Sequence, residues 1–136
     1  MKKTRILLLD EDQDFVQSTR EALESNGFEV ITASSCEEGL VKVKESVPNI
    51  VLVDLLINQR GDGILFARKL RRTQEFAPFA KIPLIMLSDL KGKSGLAFPN
   101  PTQHPYFLPI DEYMEKPLTP EVLVQKVKDL IAVSTP

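Results

Sequence analysis

The chain, 136 residues long, predicts a doubly wound α/β domain: one five-stranded parallel sheet with helices on both faces. Three observations carry this. Apolar runs rich in Val, Ile and Leu recur along the chain, and most are separated by stretches of helical periodicity. The runs are continuous rather than alternating, which suits strands covered on both faces. They also tend to end in acids or other polar residues, the pattern of strands that stop at one functional edge.

The first run, Ile6 to Leu9, stops at Asp10. A helix follows with an apolar stripe of Phe15, Thr19, Ala22 and Leu23, entered through an acidic cap at Asp12 or Asp14 and closed by Asn26-Gly27, glycine being free to take positive φ. Phe28 to Ala33 reads as the second strand. Ser35-Cys36-Glu37-Glu38 has the form of a capping box, and Cys36, Leu40, Val43 and Val47 make the next stripe before Pro48-Asn49 breaks it. Ile50 to Leu56 is the third strand, ending around Asp54. Gly61-Asp62-Gly63 turns into a helix from Ile64 to Gln74. Pro83 opens the fourth strand, Leu84 to Leu87, which ends at Ser88-Asp89, and Ile110 to Met114 is a short fifth strand leading to Lys116-Pro117. The last helix has Thr119 as cap, Pro120 at its first position and Leu123, Val127, Leu130 and Ile131 as its buried stripe.

One interval breaks the alternation. A fourth helix belongs between Ser88 and Tyr113, but Pro99, Pro101, Pro105 and Pro109 occupy the stretch together with Gly92 and Gly95. Each proline removes a donor and clashes inside a helix, so residues 91–109 are expected to form a Pro-rich loop in its place. Leu96, Phe98, Tyr106, Phe107 and Leu108 make that loop apolar enough to pack on the sheet edge. No repeat and no linker divides the chain, and residues 1–136 are expected to be a single domain.

Composition narrows the function. Lys plus Arg is 17 and Asp plus Glu 19, for a net charge of −2, without the basic excess of a nucleic-acid binder. No apolar run approaches the length of a membrane span, and the basic N-terminus leads into an apolar run too short for a signal peptide. The lone cysteine, Cys36, excludes an internal disulfide and reads as a small packing residue. Together these point to a cytoplasmic domain. The basic run Arg68, Lys69, Arg71 and Arg72 reads as a solvated helix face and His104 as a loop residue.

Ligands of an open parallel sheet bind beyond the carboxyl ends of its strands. Here those ends carry Asp10-Glu11-Asp12, Asp54, Ser88 and Lys116. Clustered carboxylates repel one another unless neutralised, and oxygen ligands without Cys or His select a hard cation, Mg²⁺ or Mn²⁺. A cation, a lysine and a hydroxyl around one carboxylate make a site for a phosphoryl group, with the positive charges taking up charge on its equatorial oxygens. Asp54 would then accept phosphate covalently.

The stretches ILLLDED at 6–12, IVLVD at 50–54, IPLIMLS at 82–88 and DEYMEKP at 111–117 resemble, in order and spacing, the receiver domains of two-component response regulators. The resemblance covers roughly residues 4–133. It implies the flavodoxin-like strand order 2-1-3-4-5, and a switch rather than an enzyme, with at most slow self-dephosphorylation. It implies that Asp54 takes phosphate from a histidine kinase or a phosphotransfer protein, and that Asp10, Glu11, Asp54 and the carbonyl of Leu56 surround Mg²⁺. It further implies that Ser88 and Lys116 contact the phosphoryl group, that the Lys116-Pro117 peptide is cis, and that Ser88 and Tyr113 form the switch. Output would pass to a separate downstream protein, a relay or a further domain outside this sequence, without direct contact to nucleic acid or membrane, from a monomer or weak dimer.

Several residues depart from the family pattern. Glu11 stands where an Asp is usual, and its extra methylene shifts the carboxylate by about 1 Å, which predicts a weakened Mg²⁺ site. The loop at 55–63 is one residue longer than usual, with Asn58 where proline is common, and Asp89 replaces a small residue. Two other functions fit parts of the pattern. One is a receiver-like protein-binding module that works without phosphorylation. The other is a haloacid-dehalogenase-type phosphatase with Asp10 as nucleophile and Asp12 as acid, which lacks the later acidic strand end and leaves Asp54 unexplained.

Overall fold

The computed structural model describes residues 3–55, 57, 62–88, 110–116 and 118–134. Five strands, β1 (Arg5–Leu9), β2 (Glu29–Ala33), β3 (Ile50–Asp54), β4 (Leu84–Ser88) and β5 (Glu112–Glu115), form one sheet in the order β2-β1-β3-β4-β5. Every neighbouring pair is parallel. Three helices, α1 (Gln13–Ser25), α2 (Cys36–Ser46) and α3 (Asp62–Arg72), and a last helix, Pro120–Ser134, cover it.

Alternation along each strand decides which helix covers which face. Leu7, Leu9, Val51, Val53, Leu84 and Met86 point to the side of α2 and α3, where Val43, Phe66 and Leu70 complete the core. Ile6, Leu8, Ile50, Leu52, Ile85 and Leu87 point to the side of α1 and the last helix, against Val16, Leu23, Leu123 and Val127. The strand residues Ile6 to Leu9, Ile50 to Val53 and Leu84 to Ser88 are wholly inaccessible, the physical reason their sequences are apolar without alternation.

The caps are local and follow the sequence. Asp12 accepts from the Phe15 N–H at 3.2 Å at the start of α1. Ser35 accepts from the Glu38 N–H at 3.0 Å, while the Glu38 carboxylate reaches one residue further back than the capping-box pattern, accepting from Ser34 N–H at 3.1 Å. Gly27 takes a φ of +90° after the Asn26 cap. Cys36 is buried in the core, and that burial pushes its thiol above the ordinary range.

Four expectations need correction. Val47 is no stripe residue: it is the left-handed cap of α2, with φ 46°, and is 53% exposed. In α1 it is Val16 that is buried, and Phe15 is half-buried. The third helix begins and ends two residues earlier than the Ile64–Gln74 expected, because a short 3-10 helix, Gln74–Phe79, takes over after Thr73 and buries Phe76. The fifth strand starts at Glu112 rather than Ile110. The proposed Pro-rich loop at 91–109 lies outside the described residues, as do Asn58, Asp89, His104 and the Lys116-Pro117 peptide.

Candidate functional site

Parallel pairing of β1 with β3, Leu9 beside Val53, brings the next residues, Asp10 and Asp54, to the same carboxyl edge. The Asp10 N–H is tied to the Ala33 carbonyl at 3.1 Å, so the residue is held by β2 as well. On the far side, the Lys116 N–H donates to the Ser88 carbonyl at 2.8 Å, which extends the β4–β5 ladder by one residue and sets where the lysine side chain begins.

The lysine closes the site. Its Nζ lies 2.7 Å from Asp10 Oδ2 and 3.9 Å from Asp54 Oδ2. The three side chains are 14%, 1% and 16% exposed, so the pairing is largely shielded from water and correspondingly strong. The other Asp10 oxygen accepts from the Asp12 N–H at 2.9 Å. The ammonium also sits over the Phe15 ring, 4.2 Å from its centroid. Three carboxylates, Asp10, Glu11 and Asp54, against one ammonium leave a formal charge of −3 + 1 = −2, the charge that a divalent cation balances. Oxygen donors and that charge fit a hard cation in kind. Among the described residues no three acidic, His or Cys side chains are already gathered around one point, and the Asp10 carboxylate is engaged by the Lys116 ammonium and the Asp12 N–H.

The other sequence-predicted residues distribute around this centre. Glu11 is half-exposed beside Asp10, and Ser88 is completely buried at the end of β4. Strand alternation puts Ser88 on the same face as Met86, the face to which Tyr113 packs, half-buried. Asp10, Asp54 and Lys116 fall on the opposite parity, with Leu8, Leu52 and Met114. The hydroxyl and the aromatic thus share one face and the charged trio the other, but Asp10, Asp54, Ser88 and Lys116 all stand at the carboxyl ends of their strands, along the one edge where the two faces meet. Leu56 lies outside the described residues.

Gly63 belongs to the site's framework. A Cβ there would stand 2.4 Å from the Asp54 carbonyl oxygen and 2.8 Å from Leu55 Cα. Both obstacles are backbone, so Gly63→Ala is expected to cost about 1–3 kcal/mol and to shift Asp54, read as a lowered urea midpoint with an unchanged slope.

Two contributions escaped the sequence reading. Phe15 counted there only as a helix-stripe residue, although its place in the first turn after Asp10 and Asp12 is the one available signal. Arg71 was read as part of a solvated face. Its guanidinium is instead bonded to the Ala80 and Ile82 carbonyls at 2.8 and 2.6 Å and to Asp111 at 2.7 Å.

A doubly wound sheet whose carboxyl edge joins two strand-end carboxylates through a lysine defines an acidic, cation-compatible centre at the edge where open α/β sheets bind their ligands. The family model described as the response regulator receiver domain matches residues 6–128, and the chain belongs to that family. It is 28% identical over 127 residues to the alkaline phosphatase synthesis transcriptional regulatory protein PhoP of Bacillus subtilis, with 93% of this chain and 48% of that protein covered. It is 29% identical over 131 residues to the transcriptional regulatory protein CpxR of Escherichia coli, covering 93% of this chain and 49% of the relative. The chain spans about half the length of these curated relatives. Among solved structures, a CheY-like receiver domain protein from Methanospirillum hungatei superimposes with a TM-score of 0.78 at 26% identity, covering 97% of this chain and 96% of that one. No helix among the described residues is long and apolar enough to cross a membrane.

Proposed function

We propose that this receiver domain accepts a phosphoryl group on Asp54 from a histidine kinase or phosphotransfer protein in the cytoplasm and thereby switches a partner-binding surface. The observation that carries this reading is the position of Lys116, 2.7 Å from Asp10 and 3.9 Å from Asp54 on one shielded edge. An Asp54 carboxylate oxygen attacks phosphorus, the bond from phosphorus to the donor breaks, and the donor leaves with its electron pair and takes up a proton. Lys116 offsets charge on the phosphoryl oxygens, and Ser88 donates its hydroxyl to one of them. Asp10, Glu11, Asp54 and the Leu56 carbonyl would hold Mg²⁺. Bound there, it would supply charge neutralisation. Ser88 then couples the new charge to Tyr113, with which it shares a sheet face, biasing a partner surface.

Intact-protein mass after incubation with Mg²⁺ and a small phosphodonor tests the proposal. One addition of about 80 Da, labile at alkaline pH as an acyl phosphate is, is expected in the natural sequence and absent in Asp54→Ala. Uptake by Asp54→Ala would place the acceptor elsewhere. No uptake in the natural sequence would favour a binding module that works without phosphorylation.

A further inference from the structure

Phe15 takes no part in the phosphoryl chemistry, yet the site's lysine rests on its ring. The contacts around it form a closed circuit. Asp10 accepts the Asp12 N–H through one oxygen, at 2.9 Å, and Asp12 accepts the Phe15 N–H at 3.2 Å. The Phe15 ring lies 4.2 Å beneath the Lys116 ammonium, which returns to the second Asp10 oxygen at 2.7 Å. The helix cap thereby aims the ring, and the ring and Asp10 hold the cation from two sides. An aliphatic side chain would fill the same space, but only an aromatic face attracts an ammonium electrostatically, most strongly when both are shielded from water. The protein contains an internal comparison. Lys44 stands 4.9 Å over the Phe76 ring and 2.6 Å from Glu75, the same three-part arrangement, on an exposed surface where the lysine side chain is 43% accessible.

We propose that Phe15 is a positioning residue: its ring keeps the Lys116 ammonium closer to Asp10, at 2.7 Å, than to Asp54, at 3.9 Å, in the metal-free protein, so that a cation arriving at Asp10 has to displace it. The purpose of this arrangement rests on the receiver reading; the arrangement itself does not. Mg²⁺ affinity is measured by calorimetry, without phosphodonor, for the natural sequence, Phe15→Leu, Phe15→Tyr, and Phe15→Leu combined with Lys116→Met. Loss of the ring should tighten Mg²⁺ binding about threefold, Phe15→Tyr should retain the original affinity, and the Leu substitution should have no effect once Lys116 is Met. An equal change in the Lys116→Met background would mean that Phe15 acts by packing alone and would overturn the proposal. Crystal structures of the metal-free natural protein and Phe15→Leu provide a second arm independent of metal affinity. Departure of Lys116 Nζ from Asp10 in the Leu variant supports the assignment, and an unmoved ammonium refutes it. Failure of Asp54 to take up phosphate would sink the functional reading while leaving this comparison decisive for Phe15.

Discussion

Lys116→Met is expected to lower the unfolding free energy of the metal-free protein by about 3 kcal/mol and to slow phosphoryl uptake about a hundredfold. The stability loss comes from what remains. The Asp10 side chain is 1% exposed and its ammonium partner at 2.7 Å would be gone, leaving a charge that the interior cannot solvate. Asp54, 3.9 Å from the lost ammonium, would keep its negative charge nearby. Urea denaturation measures the loss, and added Mg²⁺ should recover part of it by binding only the folded site. A loss under about 1 kcal/mol would show that water already solvates Asp10 and that the pair behaves like a surface ion pair.

Arg71→Leu is expected to cost about 2–3 kcal/mol. One NH group of Arg71 serves the Ala80 and Ile82 carbonyls, and the other binds the Asp111 carboxylate oxygen that also accepts the Leu84 N–H at 2.7 Å. The Asp111 N–H returns to the Leu84 carbonyl at 2.9 Å. A single guanidinium therefore ties the end of α3, the turn before β4 and the entry to β5 into one knot. Burial lowers the Arg71 pKa from its ordinary value, and Asp111 works against that shift. Arg71→Lys should rescue little, since a lysine cannot span three acceptors in a fixed fork. Thermal unfolding of both variants checks this. Full rescue by lysine would reduce the knot to its charge.

The strands were legible because burial on both faces writes itself as unbroken apolar sequence, as in residues 50–53. The caps at Asp12 and Ser35 were legible because they close within one helical turn. Parallel order then makes Asp10 and Asp54 neighbours, so the acidic centre could be anticipated before any distance was known. What stayed hidden depends on contacts distant in sequence or on backbone geometry. Val47 has the composition of a stripe residue, and only the left-handed turn at the end of α2 removes it from the core. Arg71 looks like any basic residue in an exposed run until the turn at residues 80–82 and Asp111 fold over it. The contact between Phe15 and Lys116 joins residues from opposite ends of the chain, which no periodicity encodes.

The central position of β1 and β3 has a consequence for amide exchange. Their inward residues are inaccessible and each is paired on both sides, whereas β5 is a half-exposed end strand of four residues. Backbone amides of β1 and β3 should exchange only through global opening, and those of β5 through smaller, more frequent excursions. The two carboxylates therefore ride on the slowest-exchanging slab, and the lysine that neutralises them rides on a faster one. With that exchange pattern the site would straddle a boundary between cooperative units, and loosening one end strand would withdraw its cation while both acids stay in place.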